Sequence, residues 1–591
     1  MRNEYPRPNF VRKDWQTLNG QWHFGEGKSV SGDTMIEVPF VPQCEMSGVN
    51  KPLSFDEIVY ERTFEVPKAW QDKRIILHFG AVDYKCIVWV NHHCVGAHQG
   101  GQTSFSFDIT DFLQEGVQHL KVLAVDYLED ECIPRGKQFW QDKGKFIWYT
   151  QSSGIWQSVW LEPVEKAHIQ WMHFTPDIDK GTVEITYQVS DDTPCPYQLA
   201  LDIRFGEEHV YESCVVKNNR RGKIIADIFD GRALRGAFHF TGWYWSPEQP
   251  SLFDVTAKLS ADGQCTDTVD SYFGMRKVHI QDGKFYLNNQ PYYNKLVLDQ
   301  GYWKESLMTA PSQQDYIDDI QKCKAMGFNG CRKHEKVEDP VYLYWADKLG
   351  FLVWESMASF WNFNPQSGAS FIKEWTEVIQ RDYNHPSIVV WNMMNESWGI
   401  PRLYDDIQQQ SLTRAAYHLA KGLDRTRLAI ANDGWEMTET DICAFHSYKH
   451  GDESDLPQQK AFRDGLKSIE GMQKLVEKTL LAKGFSYGGQ SVILSEIGGI
   501  TISANASDGA AADGSWGYTG ASDVSEFVTA YECLIDSIYE SEVVCGFCYT
   551  QLADVEQEQN GLLDEHHQYK AEPSVIKAVN DKKVTTSAFA I

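Results

Sequence analysis

The sequence predicts a multidomain chain: two all-β sandwiches followed by an α/β domain closed as a (β/α)8, or TIM, barrel. Three observations predict it. Short β-type segments separated by Gly, Asn and Asp turns fill the first half of the chain. Near residue 276 the periodicity changes to β-rich runs alternating with amphipathic helical patterns. No Gly-rich phosphate loop of dinucleotide or P-loop type accompanies that alternation, which disfavours a doubly wound open sheet. At 591 residues, 42% apolar and 23% charged, the chain is ample for several cores.

Up to about residue 165, the segments "RIILHFGAV", "CIVWVNHHCVG", "SFSFDIT", "LKVLAVDYL" and "SVWLEPV" are spaced as the strands of a jelly-roll-like sandwich, assigned to residues 1–165. Within it, Asn91-His92-His93-Cys94 reads as a hairpin turn. A second series, "KGTVEITYQVS", "YQLALDIRF", "IIADI", "LFDVTAKLS" and "DSYFGMRKVHI", has the size of one immunoglobulin-like domain and takes residues 166–276. Residues 277–591 then carry eight candidate strands: "YYNKLVL", "FNGCRKH", "FLVWESM", "SIVVWNMMNE", "RLAIAND", "ICAFHSY", "SVILSEI" and "VCGFCYTQL". Helical patterns such as "DYIDDIQKCKAMG", "PVYLYWADKLG", "SLTRAAYHLAKGLD" and "SEFVTAYECLIDSIYES" lie between them, and eight such repeats close naturally into a barrel.

The formal net charge of −27 argues against nucleic acid or an anionic membrane as partner, since both require a basic surface. The amino terminus, "MRNEYPRPNF", has no apolar signal core, and the chain has no apolar run of the ~18 residues that a membrane helix needs. Thirteen thinly spread cysteines read as reduced thiols rather than a disulfide framework. A cytoplasmic protein acting on a small, uncharged substrate is expected. Neither HExxH nor GxSxG occurs, which removes the zinc-peptidase and α/β-hydrolase readings suggested by motif. Cys545-Gly-Phe-Cys548 has CxxC spacing, but on a regular strand residues three apart face opposite sides, so neither a redox pair nor a zinc knuckle is expected.

A barrel keeps its chemistry at the carboxyl ends of its strands. There the second strand offers Arg332, Lys333, His334 and Glu335; the fourth, Asn395 and Glu396; the fifth, Asn432 and Asp433; the sixth, His446, Ser447 and Tyr448; the seventh, Glu496. Glu396 and Glu496 follow strongly apolar runs on strands that face each other across the mouth. Paired carboxylates about 5 Å apart are the equipment of a retaining glycosidase, one as nucleophile and one as acid, then base. Trp303, Trp361, Trp398, Trp435 and Trp516 are of the residue type that stacks on sugar faces, and each is equally a core or rim residue. The small-residue segment 506–518 suits a loop over the site, or plain linker.

These residues resemble glycoside hydrolase family 2, the family of bacterial β-galactosidases, β-glucuronidases and β-mannosidases, nearly end to end. The resemblance rests on "RPNF", "LNGQWHF", "WVNHHCVGAHQGGQTSFSFDIT" and "SSGIWQSVWLE" in the first sandwich, on "GFNGCRKHEKVEDPVYLYWADKLGFLVWE" in the barrel, and on "WNMMNES". It implies Glu396 as acid/base, Glu496 as nucleophile, Asn395 on the sugar 2-hydroxyl and Tyr448 orienting Glu496. It implies no metal or cofactor, and allows a homo-oligomer. The chain departs from the family at several sugar contacts. A His that usually follows the second-strand Arg332 by three falls on Glu335, with His334 one place early. An Asp that usually reaches in from the first sandwich falls on Trp148. The Trp that often closes the eighth strand reads as Tyr549, and the Asn-x-Lys pair of glucuronidases is missing from "DVEQEQNGLLDEHH". Arg332, His334, Glu335, His446, Tyr448, Trp516, Tyr549 and Trp148 therefore join Asn395 as expected substrate contacts. An acidic loop repels a uronic acid. The expectation is thus an exo-acting, retaining β-galactosidase-type enzyme, with an arabinoside, galactofuranoside or mannoside as the next glycones and β-glucuronide below them. Glu335, Glu556 and Asp554 are expected to accept hydrogen bonds from neutral hydroxyls. Outside enzymes, the rival is a carbohydrate-binding protein on an inactive barrel.

Overall fold

A computed structural model of the chain describes residues 2–30, 32–141, 144–229, 240–451, 455–502 and 517–584. Trp516 and residues 506–516 of the segment 506–518 lie outside the described residues.

The first sandwich is built from two antiparallel sheets. One has four strands (order Gln16–Thr17, Val159–Val164, Arg74–Phe79, Phe105–Asp108); the other has six, centred on Glu57–Glu65 and Val117–Val125. Alternation of apolar and polar residues puts Ile75, Leu77 and Phe79 against Ile58, Tyr60, Val88, Val122 and Ala124 in one core. Asn91 and His92, both left-handed, make the two-residue hairpin turn between Lys85–Val90 and His93–Gln99. A second sandwich of three and four strands follows, from Ile169–Asp177 to Gln264–Phe273, with its own core of Ile185, Tyr187, Leu199, Leu201, Val255 and Phe273.

Eight parallel strands then form one sheet. They are β1 Asn294–Asp299, β2 Gly330–Lys333, β3 Leu352–Ser356, β4 Ile388–Asn392, β5 Leu428–Ile430, β6 Ile442–His446, β7 Ser491–Gly498 and β8 Val544–Thr550. Their order is β5-β4-β3-β2-β1-β8-β7-β6, and the ring closes through the bridge between Gly434 and Phe445. Leu296, Leu298, Leu352, Trp354, Val390, Ile430 and Ile493 fill the interior, and the hairpin Val278–Gln281 with Lys284–Leu287 packs Phe285 and Leu287 against them. The opposite, carboxyl end is left to polar residues, as the apolar filling of the strands dictates.

Local sequence sets the helix ends. Pro340–Leu349 starts on Asp339, whose side chain accepts from Val341 N and whose following Pro occupies the first turn, and it stops at left-handed Gly350. In β8 the pairing slips between Val544 and Phe547, and both Cys545 and Cys548 join the interior cluster. That corrects the expectation that the two cysteines face opposite sides: a bulge interrupts the alternation. No described helix is long and apolar enough to cross a membrane.

Candidate active site

The strand ends converge on one buried hub, Arg332, the third residue of β2 and fully inaccessible. Its guanidinium donates from Nε to Asp433 Oδ2 at 2.7 Å, from Nη1 to Glu496 Oε1 at 2.9 Å and from Nη2 to Asn395 Oδ1 at 2.6 Å. One planar fork thereby fixes residues from β4, β5 and β7, a task suited to arginine geometry. Because Asn395 Oδ1 accepts from Arg332, its amide nitrogen is turned toward the mouth as a donor. The same logic applies to His334: Arg332 Nη1 lies 3.0 Å from His334 Nδ1 and can only donate, so the ring proton sits on Nε2. Burial and the charges of Arg332 and Lys137 hold His334 well below its usual range, which keeps it neutral.

Glu496 Oε2 accepts from the Tyr448 hydroxyl at 2.7 Å, and the Tyr448 ring stacks on Tyr518 with centroids 3.5 Å apart. Glu396 sits beyond β4 with φ of 52°, followed by Ser397 at 58°, two successive left-handed residues. The turn is held by Glu396 N donating to Asp433 O at 2.8 Å and by Ser397 N donating to Asn432 Oδ1 at 3.1 Å. The Glu396 carboxylate accepts from Trp398 Nε1 at 3.0 Å, and its Oε1 lies 2.7 Å from His446 Nδ1. His446 Nδ1 also lies 3.4 Å from Glu496 Oε2, and Nε2 lies 3.3 Å from Asp433 Oδ1.

Burial by itself would lower His446, but the charge of Glu496 and the bonds to Asp433 and Glu396 outweigh it and push the imidazole up to about 10. Burial would raise Glu396, but the hydrogen bond and charge of His446 hold it below its ordinary value. The two groups are one proton-sharing pair, with the proton resting on His446 in the free protein. Asp433 is held far below the usual carboxylate range, against its burial, by Arg332 and His446.

Glu396, His446 and Glu496 present one ligand atom each within 4.8 Å of one another. The trio has the spacing of a metal site, yet these carboxylates already take protein donors (Arg332, Tyr448, Trp398), and His446 is itself cationic in their field. The carboxyl pair, not a metal ligand set, is the reading the chemistry of these atoms favours.

The other expected contacts divide. Trp148 lies at the mouth, in a cluster with Trp140, Trp361 and Trp398 whose neighbouring centroids are 4.9 to 5.7 Å apart. Glu335 is buried with φ of 54° and spends both oxygens on Ser359, accepting from its N at 2.6 Å and its Oγ at 2.8 Å. Burial, opposed by those bonds, raises it to about 7. It braces the loop after β3 rather than reaching a sugar. Tyr549 is turned outward against Tyr531 of the helix Val524–Tyr539, with centroids 5.2 Å apart; Thr550, one residue on, takes the inward position beside Tyr448. This corrects its expected place among the sugar contacts: in β8 the inward residues are 548 and 550. Asp554 is paired with Lys570 at 2.6 Å, and Glu556 accepts from Thr150 N at 2.9 Å, so the acidic loop is already engaged by protein donors. Trp435 donates from Nε1 to Glu396 O at 3.0 Å and supports the turn, while Trp303 stacks on His567 in the rim.

The expected contacts omitted Lys137 and Glu558, and left Asp433 as a strand-end residue with no role. Asp433 carried a signal, its place at the end of β5. Lys137 carried none, because it belongs to the first sandwich. A separate crevice of about 750 Å³, lined among others by His78, Trp160, Met172 and Tyr383, lies at the junction of the two sandwiches and the barrel and includes none of these residues.

Three consecutive stretches match known family descriptions. Residues 38–163 match the sugar binding domain of glycosyl hydrolases family 2, residues 167–276 match glycosyl hydrolases family 2, and residues 278–480 match the TIM barrel domain of that family. A β-galactosidase of Thermoanaerobacter pseudethanolicus is 27% identical over 378 residues, covering 62% of this chain and 47% of the relative. A putative β-glucuronidase of Formosa agariphila is 26% identical over 389 residues, covering 62% of this chain and 43% of the relative. The chain thus spans less than half the length of these curated relatives. Among solved structures, a β-D-glucuronidase from Dictyoglomus thermophilum superposes with a TM-score of 0.77 at 19% identity, and a β-galacturonidase from Eisenbergiella tayi with 0.75 at 20% identity, each covering 98% of both chains. At that identity the likeness establishes the fold. The relatives' activities divide between β-galactosidase and β-glucuronidase, so the expected ranking of the first above the second finds no support in them. The three matched stretches follow the order sandwich, sandwich, barrel, and the chain belongs to glycosyl hydrolases family 2.

Proposed function

We propose that this chain is a retaining, exo-acting glycoside hydrolase, with residues 277–591 as its catalytic barrel, Glu496 as nucleophile and Glu396 as acid/base. The observation that carries this reading is the approach of the two carboxylates, oxygens within 4.8 Å of one another. That matches the ~5–5.5 Å separation of retaining enzymes and leaves no room for the intervening water of inverting ones at ~6.5–9.5 Å. Arg332 and Tyr448 aim Glu496 at the anomeric carbon. The leaving oxygen takes its proton from Glu396, which draws on His446, and the Glu496–glycosyl ester forms as the glycosidic bond breaks. Esterification removes the Glu496 charge, the largest influence holding the proton on His446. Glu396, now unprotonated, then takes a proton from water as that water attacks the ester. Release of the sugar restores the Glu496 carboxylate and the His446–Glu396 proton. Asn395 and His334 donate to ring hydroxyls while positive charge develops on the ring.

The tryptophans beside Glu396 flank the leaving-group side and favour a flat or aromatic aglycone there. A hexose, or its uronic acid, of galacto or gluco configuration is the glycone class supported by the activities of the relatives. The test is the anomer first released from an aryl β-glycoside, followed by proton NMR. Initial appearance of the β-sugar is expected; initial appearance of the α-sugar overturns the retaining assignment. Absence of turnover on every galacto- and gluco-configured glycoside and uronide, with sugar binding intact, favours the inactive-barrel rival.

A further inference from the structure

We propose that Lys137, delivered by the first sandwich, anchors a carboxylate on the glycone, so that the pocket takes uronides in preference to the matching neutral sugars. The inference rests on the glycosidase reading above and deepens it. The segment around Lys137 is docked on the barrel: Arg135 N and Gly136 N donate to Ser359 O at 3.1 and 3.0 Å, and Trp361 Nε1 donates to Gly136 O at 2.9 Å. Gly136, left-handed at φ 59°, lies so close to the Glu335 carbonyl that an added Cβ would sit 2.3 Å from its oxygen. This close approach carries the next residue into the mouth.

Lys137 is only 6% exposed, and its ammonium lies 5.7 Å from the centre of the Tyr149 ring. Among the described residues the ammonium makes no hydrogen bond and no ion pair, while the Lys137 carbonyl accepts from Tyr149 N at 2.7 Å. Its charge acts on His334, Glu335, Glu396 and Glu558. None of these carboxyl groups is its partner. Glu335 is taken by Ser359, Glu396 by His446 and Trp398, and Glu558 by the Tyr149 hydroxyl at 2.6 Å and Asn560 at 3.3 Å.

The Lys137 side chain is almost wholly withdrawn from solvent, yet its ammonium has three donors and no protein acceptor, and charges so sequestered in proteins are normally paired. The missing acceptor therefore comes with the ligand, and a carboxylate supplies both the acceptors and the opposite charge. The acidic surroundings oppose it less than the sequence suggests. Burial pushes Glu556 and Glu558 up toward their neutral forms, and Asp554 is neutralised by Lys570.

The experiment compares kcat/KM for the p-nitrophenyl β-D-glucuronide and β-D-galacturonide with the matching glucoside and galactoside, which differ only at the C5 substituent. It is run on the intact protein, Lys137→Met and Lys137→Arg, with thermal unfolding to verify that each variant is folded. The intact protein is expected to prefer a uronide, Lys137→Met to lower the uronide-to-neutral ratio roughly 10²-fold, and Lys137→Arg to restore part of it. Preference for a neutral sugar in the intact protein overturns the proposal while leaving the hydrolase reading in place. A uronide preference that Lys137→Met leaves unchanged overturns it as well, because the anion is then held elsewhere. Silence on all four substrates is a failure of the hydrolase reading, and calorimetry with free glucuronate and galacturonate then decides. Binding that Lys137→Met abolishes upholds the anchor, and absence of binding, or binding that survives Lys137→Met, overturns it.

Discussion

Glu396 and Glu496 are the same residue type placed in opposite company. Glu496 meets the fixed cation Arg332 and a tyrosine hydroxyl, whereas Glu396 meets an indole N–H and a histidine that shares its proton. Glu396→Gln is expected to lower turnover by on the order of 10²–10⁴ with a poor leaving group, and by much less with p-nitrophenol, whose departure needs little protonation. Comparison of kcat on an alkyl and a nitrophenyl glycoside checks this, and equal losses on both would assign Glu396 another role. On the proposed mechanism, His446 sets where activity ends at high pH. Its imidazole is pushed up to about 10, so the shared proton is retained through neutral pH and lost only as pH climbs toward that value. In His446→Gln the proton belongs to Glu396 alone, and the alkaline limb of the kcat/KM profile moves to lower pH. A limb that stays in place would show that His446 does not hold the transferable proton.

At the scale of elements, the site is assembled by loops that lock onto one another. The segment 135–139 reaches from the first sandwich to the loops after β2 and β3, and Glu335 braces the latter through Ser359. Gly136→Ala adds a Cβ that the Glu335 carbonyl cannot accommodate, at a φ that L side chains rarely adopt. The segment must lift, and a displacement near 1 Å beside reacting groups costs about 10²-fold in rate. A fall in kcat/KM well beyond the accompanying drop in melting temperature is the expected result. Had the segment been a passive linker, the alanine would leave kinetics alone. Part of this level is legible in the sequence: the apolar runs that become strands, Asp339-Pro340 at a helix start and Gly350 at its stop. The bulge in β8 is not, because the slip depends on how β7 and β8 meet, and it decides which side chains near the end of β8 face the mouth.

Across the whole molecule, buried ion pairs tie the three units together. Arg12 spans Glu162 of the first sandwich and Asp267 of the second, and Arg2 reaches Asp339 of the barrel. Under the barrel mouth, Lys333 and Lys336 converge on Glu338 at 2.8 and 3.0 Å; burial would raise that carboxyl, but the lysines hold it at about 2. A carboxyl lower in the folded than in the unfolded chain stabilises the fold above its unfolded value, ~4.3. That contribution is lost as pH falls toward about 2. Glu338→Gln is expected to cost about 3 kcal/mol at neutral pH, because Lys336 then keeps only the carbonyls of Gly301 and Met308 and Lys333 keeps only Asp299. The stability gap to the intact protein should narrow as pH drops below 4. Thermal unfolding of both proteins from pH 7 to pH 3 measures it, and a gap that stays constant would mean that Glu338 is not the titrating partner.

What the sequence determined by itself was the order of the parts and which two glutamates the barrel brings together at its mouth. Period-two and period-3.6 patterns report which face of a segment is buried, and an apolar strand that ends in Asn-Glu must expose those groups where the apolar filling stops. What only the tertiary structure decided were the contacts between residues far apart in the chain. Arg332 joins residues 63, 101 and 164 positions away, and Lys137 enters a mouth built almost entirely by another unit. Whether Glu335, Glu556 and Glu558 present free charge or capped, neutralised carboxyls depends on donors such as Ser359, Thr150 and Tyr149. A local pattern carries no information about such partners, because a hydrogen bond or a field depends on distance in space and not on separation along the chain.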